Sequence, residues 1–265
     1  MTDPRLVAAL EGLVAAHARD GHVPLIGIAG AQGSGKTTLA RAAAARLGAA
    51  AFSLDDVYLD RAARGELAQT IHPLFATRGP PLTHDLHRLA RTVADLRAAG
   101  PDARTRLPAF DKRADEPVTA VDRPVFAGRP SAILIDGWCL GAMPQTDGDL
   151  IEPVNALERD HDPDGVWRRR VNDALAGDYA TAFAAFDTLL FLAAPSFEVV
   201  LDWRCEQEAE TLGLAPSALP AGDRARIAGF VPRFERLTRS MLAGGVVAGV
   251  RVALDAARRV VGDPL

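Results

Sequence analysis

Gly30-Ala-Gln-Gly-Ser-Gly35-Lys36-Thr37 sets a glycine, four residues and then Gly-Lys-Thr between an apolar run and a helical pattern. That spacing lets successive backbone N–H groups curl around phosphate oxygens at the positive end of a helix. Gly30, Ala31, Gln32, Gly33, Ser34, Gly35, Lys36, Thr37 and Thr38 are therefore the candidate nucleotide-binding residues. Lys36 is suited to the β and γ phosphates, and the Thr37 hydroxyl to magnesium. A second metal anchor should be an acidic residue where a neighbouring apolar strand ends, and Ile133-Leu-Ile-Asp136-Gly137 supplies Asp136. Transfer of a phosphoryl group to a hydroxyl needs a carboxylate near the attacking oxygen. Asp55, followed by Asp56 at the end of another apolar run, is the candidate base. Each of these acids has a plainer reading as a turn or cap residue after a buried strand.

The 30 basic residues include only two lysines, Lys36 and Lys112, so the chain uses arginine almost wherever a positive charge will do. Where lysine remains, chemistry is a candidate reason, with coding bias as the alternative. A guanine-specific switch would carry Asn-Lys-x-Asp, and neither Asn155 nor Asn172 is followed by lysine. The Leu-Ser-Gly-Gly-Gln signature of transporter ATPases is absent too. Phosphoryl transfer to a small acceptor is left as the first expectation, with a P-loop ATPase or nucleotide-binding regulator as the reading from a different class.

The elements that must hold these residues alternate along the chain. Apolar runs at residues 24–29, 50–54, 131–135, 188–193 and 246–254 read as strands. Helical patterns fall at residues 5–18, 36–47, 83–99 with Thr83 as cap, from 164, 196–210 and from 223. The expected fold class is α/β, a three-layer P-loop NTPase-type domain with a mainly parallel sheet of about five strands and a helical lid. The ligand should then lie beyond the carboxyl ends of the strands. One domain over residues 1–265 is expected, with the phosphate loop and base motif at 20–58, acceptor-binding loops at 72–130, and the lid with its following helices at 195–240.

Composition narrows the partners. At 265 residues, 48% hydrophobic and 24% charged, the chain can bury a large core and does not read as disordered. A formal net charge of −4 gives no general attraction to nucleic acid or anionic membrane, which points to a small anionic ligand gripped locally. No run is long and apolar enough to suggest a membrane span, since Asp187 splits the best stretch. Cys139 and Cys205 are too few for a disulfide framework and are expected to be free thiols of a cytoplasmic protein.

Ser53-Leu-Asp-Asp-Val-Tyr-Leu59, together with the phosphate loop, resembles the phosphoribulokinase and uridine kinase group of P-loop kinases, in which the first Asp of such a motif acts as base. Thr77-Arg-Gly79, Thr83-His-Asp85, Leu107-Pro-Ala-Phe-Asp-Lys112, Asp136-Gly-Trp-Cys139, Pro153-Val-Asn-Ala-Leu-Glu158, Asp162-Pro-Asp-Gly-Val-Trp167, Ala194-Pro-Ser-Phe-Glu198 and Trp203-Arg204 through Gln207-Glu208 resemble the glycerate 3-kinase family. Asp136 departs from the Glu-Gly-Trp often found in similar proteins. The resemblance implies ATP and Mg2+ as cofactors and a small-molecule acceptor, D-glycerate first, with uridine, pantothenate or another alcohol as alternatives. A small acid needs fixed cations and hydrogen-bond partners. Arg78, His84, Asp85 and Lys112 suit it, and Asp56, Tyr58 and Asp111 of the same motifs complete the candidate acceptor set. Arg204 resembles the lid arginine that closes over the transferring phosphate, and an exposed pair with Glu208 is its plainer reading. Trp138, Trp167 and Trp203 read as packing residues.

Overall fold

The computed structural model describes residues 3–262 of the chain. Helix α1 (Pro4–His17) leads into β1 (Leu25–Gly30), the phosphate loop, α2 (Lys36–Leu47) and β2 (Ala50–Ser53). Then come α3 (Arg61–Thr70), α4 (Leu86–Ala98), four short strands β3 (Arg104–Arg106), β4 (Phe110–Asp111), β5 (Glu116–Pro117) and β6 (Val125–Ala127), and β7 (Ile133–Gly137). The second half carries α5 (Ala156–His161), α6 (Val166–Ala174), α7 (Ala180–Phe183), β8 (Thr188–Ala193), α8 (Val199–Thr211), α9 (Ala221–Phe230), α10 (Glu235–Leu242), β9 (Val250–Leu254) and β10 (Val260–Val261).

The main sheet runs β10-β9-β8-β1-β7-β2, parallel throughout except for the β9–β10 pair. It has six strands where five were expected, because Val260–Val261 is too short to register as a periodic run yet pairs with Leu254 and Ala253. β1 is buried along its whole length, as a central strand covered on both faces must be. Its side chains alternate between two cores: Leu25 and Ala29 belong to one, Ile26 and Ile28 to the other. Leu10 of α1, Leu39 of α2 and Val200 of α8 join the second. Leu89, Val93 and Leu96 of α4, with Leu237 and Met241 of α10, join the first. This is the expected three-layer arrangement.

Several boundaries differ from the sequence reading. The helix expected from Thr83 begins at Leu86, and its N-cap is Asp85, whose carboxylate accepts the Arg88 N–H at 2.9 Å. Thr83 is wholly buried instead, donating to Pro80 O at 2.7 Å and accepting from Gly79 N–H at 3.0 Å. The last large strand starts at Val250 rather than 246: Gly244 turns the chain at a φ of 112°, and Val246 makes only an isolated antiparallel bridge to Ala142. Both free cysteines are buried, and so are all three tryptophans.

Candidate active site

The carboxyl end of β1 turns into the phosphate loop through three glycines at positive φ: Gly30 (151°), Gly33 (75°) and Gly35 (90°). At Gly33 the requirement is also steric, because a Cβ there would stand 2.8 Å from the Trp203 carbonyl oxygen. In front of Gly35 the space is open, with nothing within 4 Å of where a Cβ would sit. α2 starts immediately after it with no side-chain cap, so its first-turn N–H groups face that space. The loop also buries groups that lack protein partners, namely both polar atoms of the Gln32 amide and Ser34 Oγ. Lys36 is buried and donates to Ala31 O at 2.8 Å. Burial pulls its pKa down, against the attraction of Asp136 and Asp55. A cradle of unpaired donors around a buried ammonium fits a polyphosphate.

Parallel register puts the acids beside this cradle. Asp136 of β7 lies opposite both Ile28 of β1 and Ser53 of β2. Thr37 Oγ1 donates to Asp136 Oδ2 at 2.8 Å, and Ser53 Oγ donates to Asp136 O at 3.1 Å. Burial pushes the Asp136 pKa up, although Lys36 and the Thr37 hydroxyl oppose it. Among the described residues no group of three or more His, Cys, Asp or Glu is placed to enclose a metal. Thr37 and Asp136 offer a partial oxygen set, which suits Mg2+ because that ion keeps waters and phosphate oxygens among its ligands.

One tight turn at residues 54–57 separates the roles of the two acids after β2. Asp56 closes a capping box by accepting the Ser53 N–H at 2.8 Å. Burial pushes it up to about 6 despite that bond, and the neighbouring Asp55 charge adds to the rise. Asp55 accepts from Tyr58 Oη–H at 2.8 Å and from Lys112 Nζ at 2.7 Å. Burial alone would raise its pKa, but the Lys112 charge, with these two hydrogen bonds, holds it well below the usual carboxylate range.

The remaining candidates divide. His84 stacks on Tyr58 with ring centroids 4.6 Å apart, and its Nδ1 lies 2.6 Å from Tyr179 Oη. Burial pushes it down to about 4. Arg78 forms an ion pair with Asp115, reaches Lys112 O at 3.3 Å and lies over the Phe110 ring at 5.6 Å. Arg78, His84, Tyr58 and Lys112 are thus linked to Asp55 directly or through one neighbour. Three acids expected at the acceptor also have local partners: Asp56 caps its turn, Asp85 caps α4, and exposed Asp111 accepts the N–H groups of Arg113 and Ala114 at 2.8 and 3.1 Å. Each follows from the ease with which Asp bonds backbone a few residues away.

Arg204 on α8 pairs with Glu208 at 2.9 Å, the plainer reading of its spacing, yet it also lines a cleft. That cleft holds about 480 Å3 between the segment from Ala76 to Arg78 and the region of α8 and α9, where Arg226, Ile227, Phe230 and Arg233 complete the wall. In the sequence Arg233 reads as part of a basic helix face, since nothing in its spacing marks which arginine lacks a carboxylate partner among the described residues. Arg236, from the same run, is an internal strut bonded to Glu158 at 2.7 Å.

No family model matches the chain. The "Uncharacterized kinase mug58" of Schizosaccharomyces pombe is 32% identical over 71% of this chain and 71% of its own. Among solved structures, D-glycerate 3-kinase from Cryptococcus neoformans var. grubii superposes with a TM-score of 0.74 over 97% of this chain and 95% of that one, at 21% identity. The YGR205w protein superposes with a TM-score of 0.66 over 97% and 96% of the two chains, at 17% identity. These two likenesses establish a shared fold, in agreement with the resemblance read from the motifs. With the phosphate cradle, they join the sequence relationship in one conclusion: the chain is a phosphotransferase and belongs to the P-loop kinase family of the fission-yeast mug58 protein.

Proposed function

We propose that this kinase transfers the γ-phosphoryl group of ATP to a hydroxyl of a small carboxylic acid, D-glycerate in the first instance, giving 3-phosphoglycerate. The observation that carries the reading is the Asp55 carboxylate, held between Tyr58 and Lys112 near Lys36 of the phosphate loop, with Arg78 of the adjoining cleft reaching the Lys112 carbonyl. In this reading Gly30 through Thr38 hold the phosphates, and Lys36 leaves Ala31 O for the β and γ oxygens. Thr37 and Asp136 would hold Mg2+, which when bound offsets charge on the phosphate oxygens.

Asp55 orients the acceptor hydroxyl and takes its proton as the new oxygen–phosphorus bond forms and the bond to the ADP oxygen breaks. A carboxylate of low pKa suffices, because positioning and charge stabilisation outweigh proton abstraction in a loose phosphoryl transition state. Lys112 has three N–H donors and gives one to Asp55, leaving two for the acceptor carboxylate or the passing phosphoryl group. Arg78 and Arg204 add charge from opposite walls, and Tyr58 and His84 shape the acceptor side.

A screen following ADP release with D-glycerate, L-glycerate, glycerol, uridine and pantothenate tests the proposal. The larger alcohols belong in it because the 480 Å3 cleft exceeds what a three-carbon acid fills. D-Glycerate should turn over best, with phosphorus NMR showing the 3-phosphate. Preference for uridine or pantothenate, or ATP hydrolysis indifferent to acceptor, would discard it.

A further inference from the structure

Most cations on the cleft have a carboxylate partner: Arg78 has Asp115, and Arg204 and Arg226 share Glu208 at 2.9 and 2.8 Å. Arg233 has none among the described residues. Its Nη1 donates to Gly229 O at 2.7 Å, and its Nε is buried without any partner. Burial lowers its pKa. A half-buried guanidinium left uncompensated is unfavourable unless an anion arrives to pair with it.

The position of this residue is fixed by packing. Phe234, next to Arg233, meets the Trp138 ring edge-on at 4.9 Å between centroids. The same Phe234 lies so close to Gly79, next to Arg78, that a Cβ there would stand 2.6 Å from its Cε1. Trp138 Nε1 donates to Gly79 O at 3.0 Å, closing the three-way contact. Arg78 and Arg233 therefore flank one rigid junction, and Trp138 ties that junction to the strand bearing Asp136. Ile227 and Phe230 beside Arg233 give this part of the cleft an apolar lining, suited to the carbon chain of an organic anion.

We infer that Arg233 is a specificity-determining residue of this kinase, pairing with the acceptor's carboxylate from the wall opposite Arg78. The inference rests on the acid-kinase reading above and adds to it the residue by which an acid is told from an uncharged alcohol. A planar guanidinium with free N–H groups matches a carboxylate in two parallel bonds, which a neutral CH2OH group cannot accept in the same way.

The test compares wild type, Arg233→Met and Arg233→Lys with D-glycerate and with glycerol, which lacks the carboxylate. Arg233→Met should raise the KM for D-glycerate about tenfold, leave the KM for ATP within about twofold and leave kcat/KM for glycerol unchanged, so the preference for acid over alcohol falls about tenfold. Arg233→Lys should recover part of that preference, since it restores the charge and not the fork. An unchanged preference overturns the inference and leaves the acid-kinase reading intact. A kcat lowered equally with both acceptors would overturn it too, by placing Arg233 on the phosphoryl group. A wild type that phosphorylates no carboxylic acid removes both proposals together. Thermal unfolding of each variant separates these outcomes from misfolding.

Discussion

Lys112 Nζ stands 2.7 Å from Asp55 Oδ2, so one of the chain's two lysines is ion-paired with the carboxylate beside the phosphate loop. The sequence suggested that this lysine would meet the acceptor. The fold places it on the candidate base, where its charge opposes the effect of burial on Asp55 and is itself stabilised by that carboxylate. In the proposed mechanism this pairing would couple acceptor binding at Lys112 to the protonation of Asp55.

Removing that charge should move the pH profile. In Lys112→Met, burial acts on Asp55 with only the Tyr58 hydroxyl and weaker charges against it, so the Asp55 pKa rises. If Asp55 acts ionised, as proposed, the acid limb of kcat/KM against pH should shift upward, with the KM for D-glycerate rising about tenfold. Lys112→Arg should fall between the two, because a planar fork does not reproduce a point charge in a tight site. An Arg variant equal to wild type would return Lys112 to an ordinary surface role.

Asp55→Asn should lower kcat far more than it weakens ATP binding, whereas Asp56→Asn should be mild. Asn at position 56 keeps an oxygen to accept the Ser53 N–H and removes a carboxylate that burial already pushes up to about 6. Steady-state kinetics on both variants check this, and the reverse ranking would hand the base role to Asp56.

Lys36→Ala should cost about a hundredfold or more in turnover, as expected for loss of a single donor to the transition state. Its one hydrogen bond, to Ala31 O, is not one the fold depends on, so circular dichroism should be unchanged. Undiminished turnover in a folded variant would remove the phosphate-loop assignment.

His84 should make stability depend on pH. Burial holds it near 4 in the folded chain, while an unfolded histidine takes up its proton near 6.5. Between those values the unfolded state binds the extra proton, so stability is full above about 6.5 and falls by up to about 3 kcal/mol as pH drops toward 4. Urea titrations at pH about 7.5 and about 5 should show this loss in wild type and a smaller one in His84→Gln. Equal losses in both would contradict a buried neutral His84.

Glu158 and Arg236 predict a different kind of failure. Glu158 is 1% exposed and accepts from Arg236 at 2.7 and 2.8 Å. Truncating it to Ala leaves a buried guanidinium without its counter-charge and should destabilise the protein by about 3–5 kcal/mol. A change below about 1 kcal/mol by chemical denaturation would show that Asp149 O and Glu152 O suffice for Arg236.

How much of the site was legible depended on how local its cause was. The turn from Gly30 to Thr37 needs glycines at fixed places, and Asp136 needs only an apolar strand before it, so both could be read directly. For Asp85 and Asp111 the sequence could not separate capping from ligand binding, because caps and tight turns draw on the same carboxylates as ligands do. Arg233 was invisible for the opposite reason. Its distinction is the lack of a carboxylate partner among the described residues, and that depends on where Asp115, Glu208 and their neighbours sit in space.

The sequence by itself determined the alternation of strands and helices, the phosphate loop and the acids that end β2 and β7, because each is set by neighbours a few residues away. Only the tertiary structure decided that Asp55 meets Lys112 57 positions along, that Trp138, Gly79 and Phe234 form one junction, and that a sixth strand of two residues closes the sheet. Those outcomes rest on close packing and charge pairing between segments far apart in the chain. No local period records which distant groups will share a dielectric, a contact or a counter-charge.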